Sequence, residues 1–95
     1  MGLKFKLAEI LEEMDIAKNR LAVEGKIRPA TVAKYAEGKM GRIEVATLVS
    51  ILDTLNTLAP IVEKESKEDP KKKPYTAKTY SLEDLIEYKY EGASS

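Results

Sequence analysis

Leu7, Ile10, Leu11 and Met14 recur at the i, i+3, i+4, i+7 spacing of a one-sided helix, with Glu9, Glu12 and Glu13 on the other face. The pattern predicts a first helix over 4–14. It breaks at Asp15-Ile16, where Ile16 is expected to turn inward. A second, short helix is expected over 18–24, with Leu21 and Ala22 inward. Gly25 is placed to close it, because glycine takes the left-handed conformation at no steric cost. Ile27 stands alone between polar neighbours and reads as a buried plug in a turn. Pro29 then opens a third helix, since a first helical position has no use for the missing N–H. That helix runs to Gly38, with Val32, Tyr35 and Ala36 inward and Arg28, Ala30, Thr31 and Lys34 outward. After a loop over 39–42, Val45, Leu48, Ile51, Leu52 and Leu55 form the widest apolar stripe in the chain. It predicts a fourth helix over 44–55. Asn56 and Pro60 are its expected stops, with a fifth, weaker helical turn over 58–62.

The pattern changes after Val62. Residues 63–74 hold nine charged residues, two prolines and one serine, with no apolar side chain. Such a stretch cannot bury enough surface to offset its ordering entropy, so a linker is expected. Beyond it, residues 75–95 form a tyrosine-rich tail with Leu82, Leu85 and Ile86. Two signals compete there. Ser81-Leu82-Glu83-Asp84 starts like a helical capping box, while residues 86–91 alternate like a strand. A short helix over 81–87 is favoured, and Gly92 to Ser95 reads as a frayed end. The organisation expected is thus a helical domain over 1–62, a charged linker over 63–74 and a tail over 75–95.

Composition narrows the chemistry. The 95 residues are 43% apolar and 34% charged, which excludes collagen-like and grossly disordered classes. No cysteine or histidine is present, so disulfides, thiolate nucleophiles, imidazole bases and the usual zinc sites are excluded. The acidic clusters Glu12-Glu13-Asp15 and Glu83-Asp84-Glu87 lack a partner ligand. No enzyme, metal or cofactor is therefore expected. Lysines interrupt the first residues, which lack the apolar core of a secretory signal, and Lys6 replaces the Ser or Thr of a myristoylation motif. The stretch from Val45 to Val62 carries Asp53, Asn56 and Pro60, and is not expected to span a membrane. A soluble, cytoplasmic protein follows as the expectation.

Net charge is zero (16 basic, 16 acidic residues), but the charge is not evenly spread. Residues 18–42 hold seven basic side chains (Lys18, Arg20, Lys26, Arg28, Lys34, Lys39, Arg42) against Glu24 and Glu37. Such a local excess is the electrostatic footprint of phosphate binding. It coincides with two short helices joined by a tight turn, a helix-turn-helix rhythm in which small Ala22 lets the helices cross closely. Helix-turn-helix geometry puts the second helix of the pair in the major groove. Arg28 and Lys34 are then the candidates for base contact, since either side chain can donate to guanine O6 and N7. Ala30 and Thr31 can meet a thymine methyl. Lys18 and Asn19 should meet phosphate at the start of the second helix, and Lys39 and Arg42 beyond the third. Arg20, in the same cationic run, completes the DNA-binding set.

On Leu21-Ala22, Ile27-Arg28-Pro29, Val32, Glu37-Gly38-Lys39 and the Thr47-Leu48…Ile51-Leu52…Leu55-Asn56 pattern, residues 4–59 resemble the Cro/C1-type (XRE-like) helix-turn-helix regulators of phages and bacteria. That resemblance implies an all-α, lambda-repressor-like domain of four to five helices. It also implies a transcriptional regulator, a repressor by preference, that binds double-stranded DNA at the same positions. One departure stands out. The family often has glycine in the turn just before the apolar plug, where this chain has Lys26, with Gly25 one position earlier. One such helix pair reads few bases, so a homodimer on two half-sites is expected. Its contact would come from the fourth helix, residues 58–62 or the tail. The alternative is an antitoxin or adaptor on the same fold, whose tail from Tyr75 to Tyr90 captures a protein partner.

Overall fold

A computed structural model describes residues 3–39 and 41–88. They form β1 (Leu3–Phe5), α1 (Leu7–Met14), α2 (Lys18–Gly25), α3 (Pro29–Glu37), α4 (Val45–Glu68), α5 (Leu82–Leu85) and β2 (Ile86–Tyr88). The domain is all-α, with five helices and one two-stranded antiparallel ribbon. In that ribbon Leu3 faces Tyr88, Lys4 faces Glu87 and Phe5 faces Ile86.

The helical periodicities bury the side chains they mark. Leu7, Ile10, Leu11 and Met14 of α1, Leu21 and Ala22 of α2, and Val32, Tyr35 and Ala36 of α3 all join one core with Ile51 and Leu55 of α4. Ile16 and Ile27 are half-buried against it, as turn plugs should be. The first helix begins later than its charge pattern suggests. Leu3 and Phe5 share one face of β1, and the Lys6 N–H donates to the Leu85 carbonyl at 2.8 Å. The N-terminal residues thus take a ribbon pairing that could not be foreseen without locating its partner.

Gly25 does not make the turn after α2. It is still helical, and the left-handed residue is Lys26, at φ 54°. The Lys26 N–H reaches Val23 O and the Ile27 N–H reaches Ala22 O at 2.9 Å, which satisfies the last carbonyls of the helix. Gly25 serves the crossing of α2 and α4 instead. A β-carbon there would lie 2.6 Å from Thr54 Oγ1.

The largest departure from expectation is α4. Neither Asn56 nor Pro60 ends it, and it continues to Glu68. An interior proline costs roughly 3 kcal/mol. Burying Leu58 and Val62, on either side of it, returns about 1.5–3 kcal/mol each. The first half of the expected linker is therefore helical. The tail then runs back along α4. Ser66 Oγ donates to Tyr75 O, the Ala77 N–H donates to Glu63 Oε1 at 2.7 Å, and Asn56 bonds both backbone groups of Tyr80 (2.6 and 3.0 Å). Tyr75, Tyr80 and Leu85 are buried in the common core. The 81–87 segment is helix and strand in succession: a Ser81–Asp84 capping box opens α5, and β2 follows at once. The expected frayed end at 92–95, and the strand pattern beyond Tyr88, lie outside the described residues.

Among the described residues α4 is the one helix long and apolar enough to cross a membrane. Its inner face packs on the core through Ile51, Leu55, Leu58 and Val62.

Candidate nucleic-acid interface

α2 and α3 pack together, joined by residues 26–28, and the outer face of α3 is open to solvent. Arg28, Pro29, Ala30 and Lys34 are exposed and Thr31 is half-buried. Tyr35, on the opposite face, anchors the helix. Its ring meets Phe5 edge-on at 6.2 Å, and its hydroxyl accepts the Glu44 N–H at 3.1 Å, fixing α3 to the start of α4. The Tyr35 hydroxyl thus holds the two helices together.

Two shallow recesses flank α3 and share Thr31. The first is lined by Lys26, Ile27, Arg28, Thr31 and, from the first turns of α4, Ala46, Thr47 and Ser50. The second is lined by Thr31, Lys34, Tyr35, Lys39, Gly41, Arg42 and Glu44. Five cations (Lys26, Arg28, Lys34, Lys39 and Arg42) and four hydroxyl side chains (Thr31, Tyr35, Thr47 and Ser50) therefore line the two recesses. Glu44 contributes a carboxylate to the second recess. Lys18 and Asn19 are exposed at the start of α2, outside both recesses.

Most ion pairs lie away from this face, where, among the described residues, Lys6, Lys64, Lys71 and Lys73 also have no carboxylate partner. Lys4 pairs with Glu9, Lys67 with Glu63 and Lys78 with Glu13. Glu65 takes both Arg20 and Lys72. Around α3, Lys39 meets Glu37 at 3.7 Å, in a pair exposed enough to be worth little. Among the described residues no carboxylate pairs with Lys18, Lys26, Arg28, Lys34 or Arg42. The helix ends add to the same field. Neither α2 nor α3 has a side-chain cap or an acidic residue in its first turn. Their positive ends remain available to anions, whereas Glu9 opens α1 and Glu83 and Asp84 open α5.

Arg20 does not belong to this open set. Both terminal nitrogens of its guanidinium reach the two carboxylate oxygens of Glu65 at 2.9 Å. The two-pronged bond to Glu65 raises the Arg20 pKa and holds Glu65 below the usual carboxylate range. Arg20 thus ties α2 to the last turns of α4. Lys26, Thr47 and Ser50 were not marked as site residues from sequence. Thr47 and Ser50 look like solvated positions on a core helix, and only the α3–α4 crossing brings them beside Arg28.

Two of the tail tyrosines, Tyr75 and Tyr80, are structural. Tyr80 and Tyr75 share a hydroxyl–hydroxyl bond of 2.7 Å, and Tyr80 OH also donates to Glu13 Oε1 at 3.1 Å. Burial, with the Tyr75 bond second, pushes the Tyr80 phenol far above its ordinary range. Glu13 and Asp84, from the two acidic clusters, are occupied by Tyr80 and by Ser81.

Comparisons with protein-family models, curated proteins and solved structures returned no match.

Proposed function

We propose that this protein is a sequence-specific DNA-binding transcriptional regulator, a repressor, that uses α2 and α3 as a helix-turn-helix and inserts α3 in the major groove. The observation that carries the reading is the cluster of five cations around Thr31 on the open face of α3, four of them without a carboxylate partner among the described residues. Arg28 and Lys34 address base edges, Ala30 and Thr31 meet thymine methyl groups, and Lys26, Lys39, Arg42, Thr47 and Ser50 hold phosphates on either side. Lys18 and Asn19 hold phosphate at the positive end of α2. Arg20 acts by orienting α2 through Glu65, not by touching DNA. Two copies bind together in the cytoplasm, on half-sites about one helical turn apart.

Selection from random duplexes, followed by binding titrations at several salt concentrations, tests this reading. Arg28→Ala should cost about 1–3 kcal/mol at one base position and relax preference there. Lys18→Ala should weaken all duplexes alike and lower the salt slope by about 1. A salt-dependent complex that ignores both substitutions would show that α3 is not the reading helix.

A further inference from the structure

We propose that a second copy of this chain docks on the N-terminal half of α4, through the face that carries Val45, Val49 and Leu52. The proposal rests on the two-copy expectation above and names where the copies meet. One stripe runs the length of α4 at alternating three- and four-residue steps: 45, 48/49, 52, 56, 59, 63 and 66. The chain covers the far half of that stripe with its own tail. Tyr75 lies at Ser66, Ala77 at Glu63 and Tyr80 at Asn56. The tail then turns into α5 and β2; in the near half of the stripe Leu48 and Leu52 are half-buried against the core, while Val45 and Val49 stay exposed. Val45 was expected in the core from its spacing and is among the most exposed apolar residues of the fold.

The bare surface continues past the helix. Ile43, two residues before Val45, shares a recess with Leu3, and Leu3 pairs with Tyr88 in the ribbon. Leu82 opens α5, which packs on α4. These six residues are 37% (Ile43), 74% (Val45), 49% (Val49), 44% (Leu3), 67% (Tyr88) and 52% (Leu82) exposed, which leaves on the order of 400 Å² of apolar side chain in water. A stable two-protein contact buries about 800 Å² per partner, and a monomer seldom carries so large an apolar patch without use for it. The patch supplies about half of that area by itself. A helix stripe suits a second copy because a two-fold contact places the same patch on both sides, apolar against apolar. The patch also adjoins the cationic face, since Gly41 and Ile43 flank Arg42 and Gly41 lines recesses on both sides. A two-fold axis through it keeps both copies of α3 beside one another.

The chain has no cysteine, so a single introduced thiol can form a disulfide only with another copy. Val49→Cys should cross-link to a dimer under mild oxidation, because residues near a two-fold axis come within disulfide reach. Ile61→Cys, on another face of the same helix, should not. In sedimentation the unmodified protein should run as two copies, and Val49→Asp should shift it to one while helical circular dichroism is unchanged. A protein that sediments as one copy throughout overturns the proposal. So does a single-copy protein that floats with lipid vesicles until Val49→Asp is introduced, since lipid then covers the face. Cross-linking at Ile61 instead of Val49 overturns it as well. Duplex titration separates the two readings. Single copies that still bind DNA through α3 sink the docking proposal alone, and dimers indifferent to DNA sink only the regulator reading.

Discussion

Gly25→Ala probes the contact that sets the pose of the helix pair. Alanine in place of a helical glycine ordinarily stabilises by about 0.5–1 kcal/mol. Here the new methyl would sit 2.6 Å from Thr54 Oγ1 and 3.0 Å from Ile27 Cδ1. Thr54 has little room to withdraw. It is buried, and its hydroxyl donates to the Ser50 carbonyl at 2.6 Å. To restore ordinary contact, α2 must move away from α4 by most of an ångström. Overpacking of this kind costs about 1–3 kcal/mol, which outweighs the propensity gain and leaves a net loss of about 1–2 kcal/mol. In a domain of this size that lowers the melting temperature by about 4–8 °C per kcal/mol. Urea and thermal unfolding, followed by circular dichroism, read it directly. Thr54→Ala supplies the second corner of a double-mutant cycle. It loses the Ser50 bond but opens the space, so Gly25→Ala in that background should be neutral or stabilising. A rise in melting temperature for Gly25→Ala alone, or an equal cost in both backgrounds, would mean that α2 does not rest on Thr54. The placement of the α2–α3 turn against α4 would then be wrong.

Lys26→Gly should act in opposite directions on stability and binding. Relieving a left-handed lysine should raise stability by up to about 1 kcal/mol in urea unfolding, while removal of a cation beside Arg28 lowers the salt slope of duplex binding by about 1. Glu63, Glu65 and Asp84 are held below the ordinary carboxylate range by the Ala77 N–H, by Arg20 and by the Ser81 N–H respectively. Their contribution is complete above the unfolded carboxylate pKa of about 4 and is lost as pH falls through the folded values. Urea midpoints should therefore drop in acid, and Glu65→Gln should flatten that drop and cost about 1 kcal/mol at neutral pH. The Tyr80 phenol is raised instead, so its contribution is present below the unfolded phenol pKa of about 10 and is lost above it. Tyr80→Phe strands the buried Tyr75 hydroxyl, should cost about 1–3 kcal/mol, and should remove the phenol that resists titration in the native ultraviolet spectrum.

The helical core was readable because its signals are local. The spacing of Leu7, Ile10, Leu11 and Met14, and of Leu21, Ala22, Val32 and Tyr35, names the buried face of each helix without reference to any other. What failed depended on partners far along the chain. The strand at Leu3–Phe5 exists because Ile86–Tyr88 returns to pair with it. The charged stretch after Val62 looks like a linker because no apolar residue marks it. It is helical to Glu68 because Arg20, Ala77 and Tyr75 supply hydrogen bonds that composition cannot display. Val45 fits the period of the core stripe and is nevertheless exposed, since a period gives direction around a helix and not the length over which a neighbour covers it. The turn glycine was misplaced by one residue for a related reason. Gly25 is required by a crossing helix, and a lysine then occupies the strained position.

A chain of zero net charge can still present a cationic face if its pairing is segregated, and the long α4 provides that segregation. Continued to Glu68, α4 carries Glu63 and Glu65 far from α3. There Glu65 absorbs Arg20 and Lys72, and Glu63 receives the Ala77 N–H and Lys67. Had α4 stopped at Asn56, Glu65 would lie in a mobile linker and Arg20 would be one more loose cation on α2. Four of the sixteen acids, Glu63, Glu65, Glu68 and Asp69, are instead held at the end of α4. At surface separations beyond about one Debye length, roughly 8 Å at physiological salt, they no longer screen the cations around Thr31. Lys26, Arg28, Lys34 and Arg42 line recesses with the hydroxyls of Thr31, Thr47 and Ser50, which can bond a phosphate but cannot neutralise a lysine or arginine. Positive potential on this protein is therefore a product of the fold, set by which carboxylates the tail and the end of α4 draw away from α3.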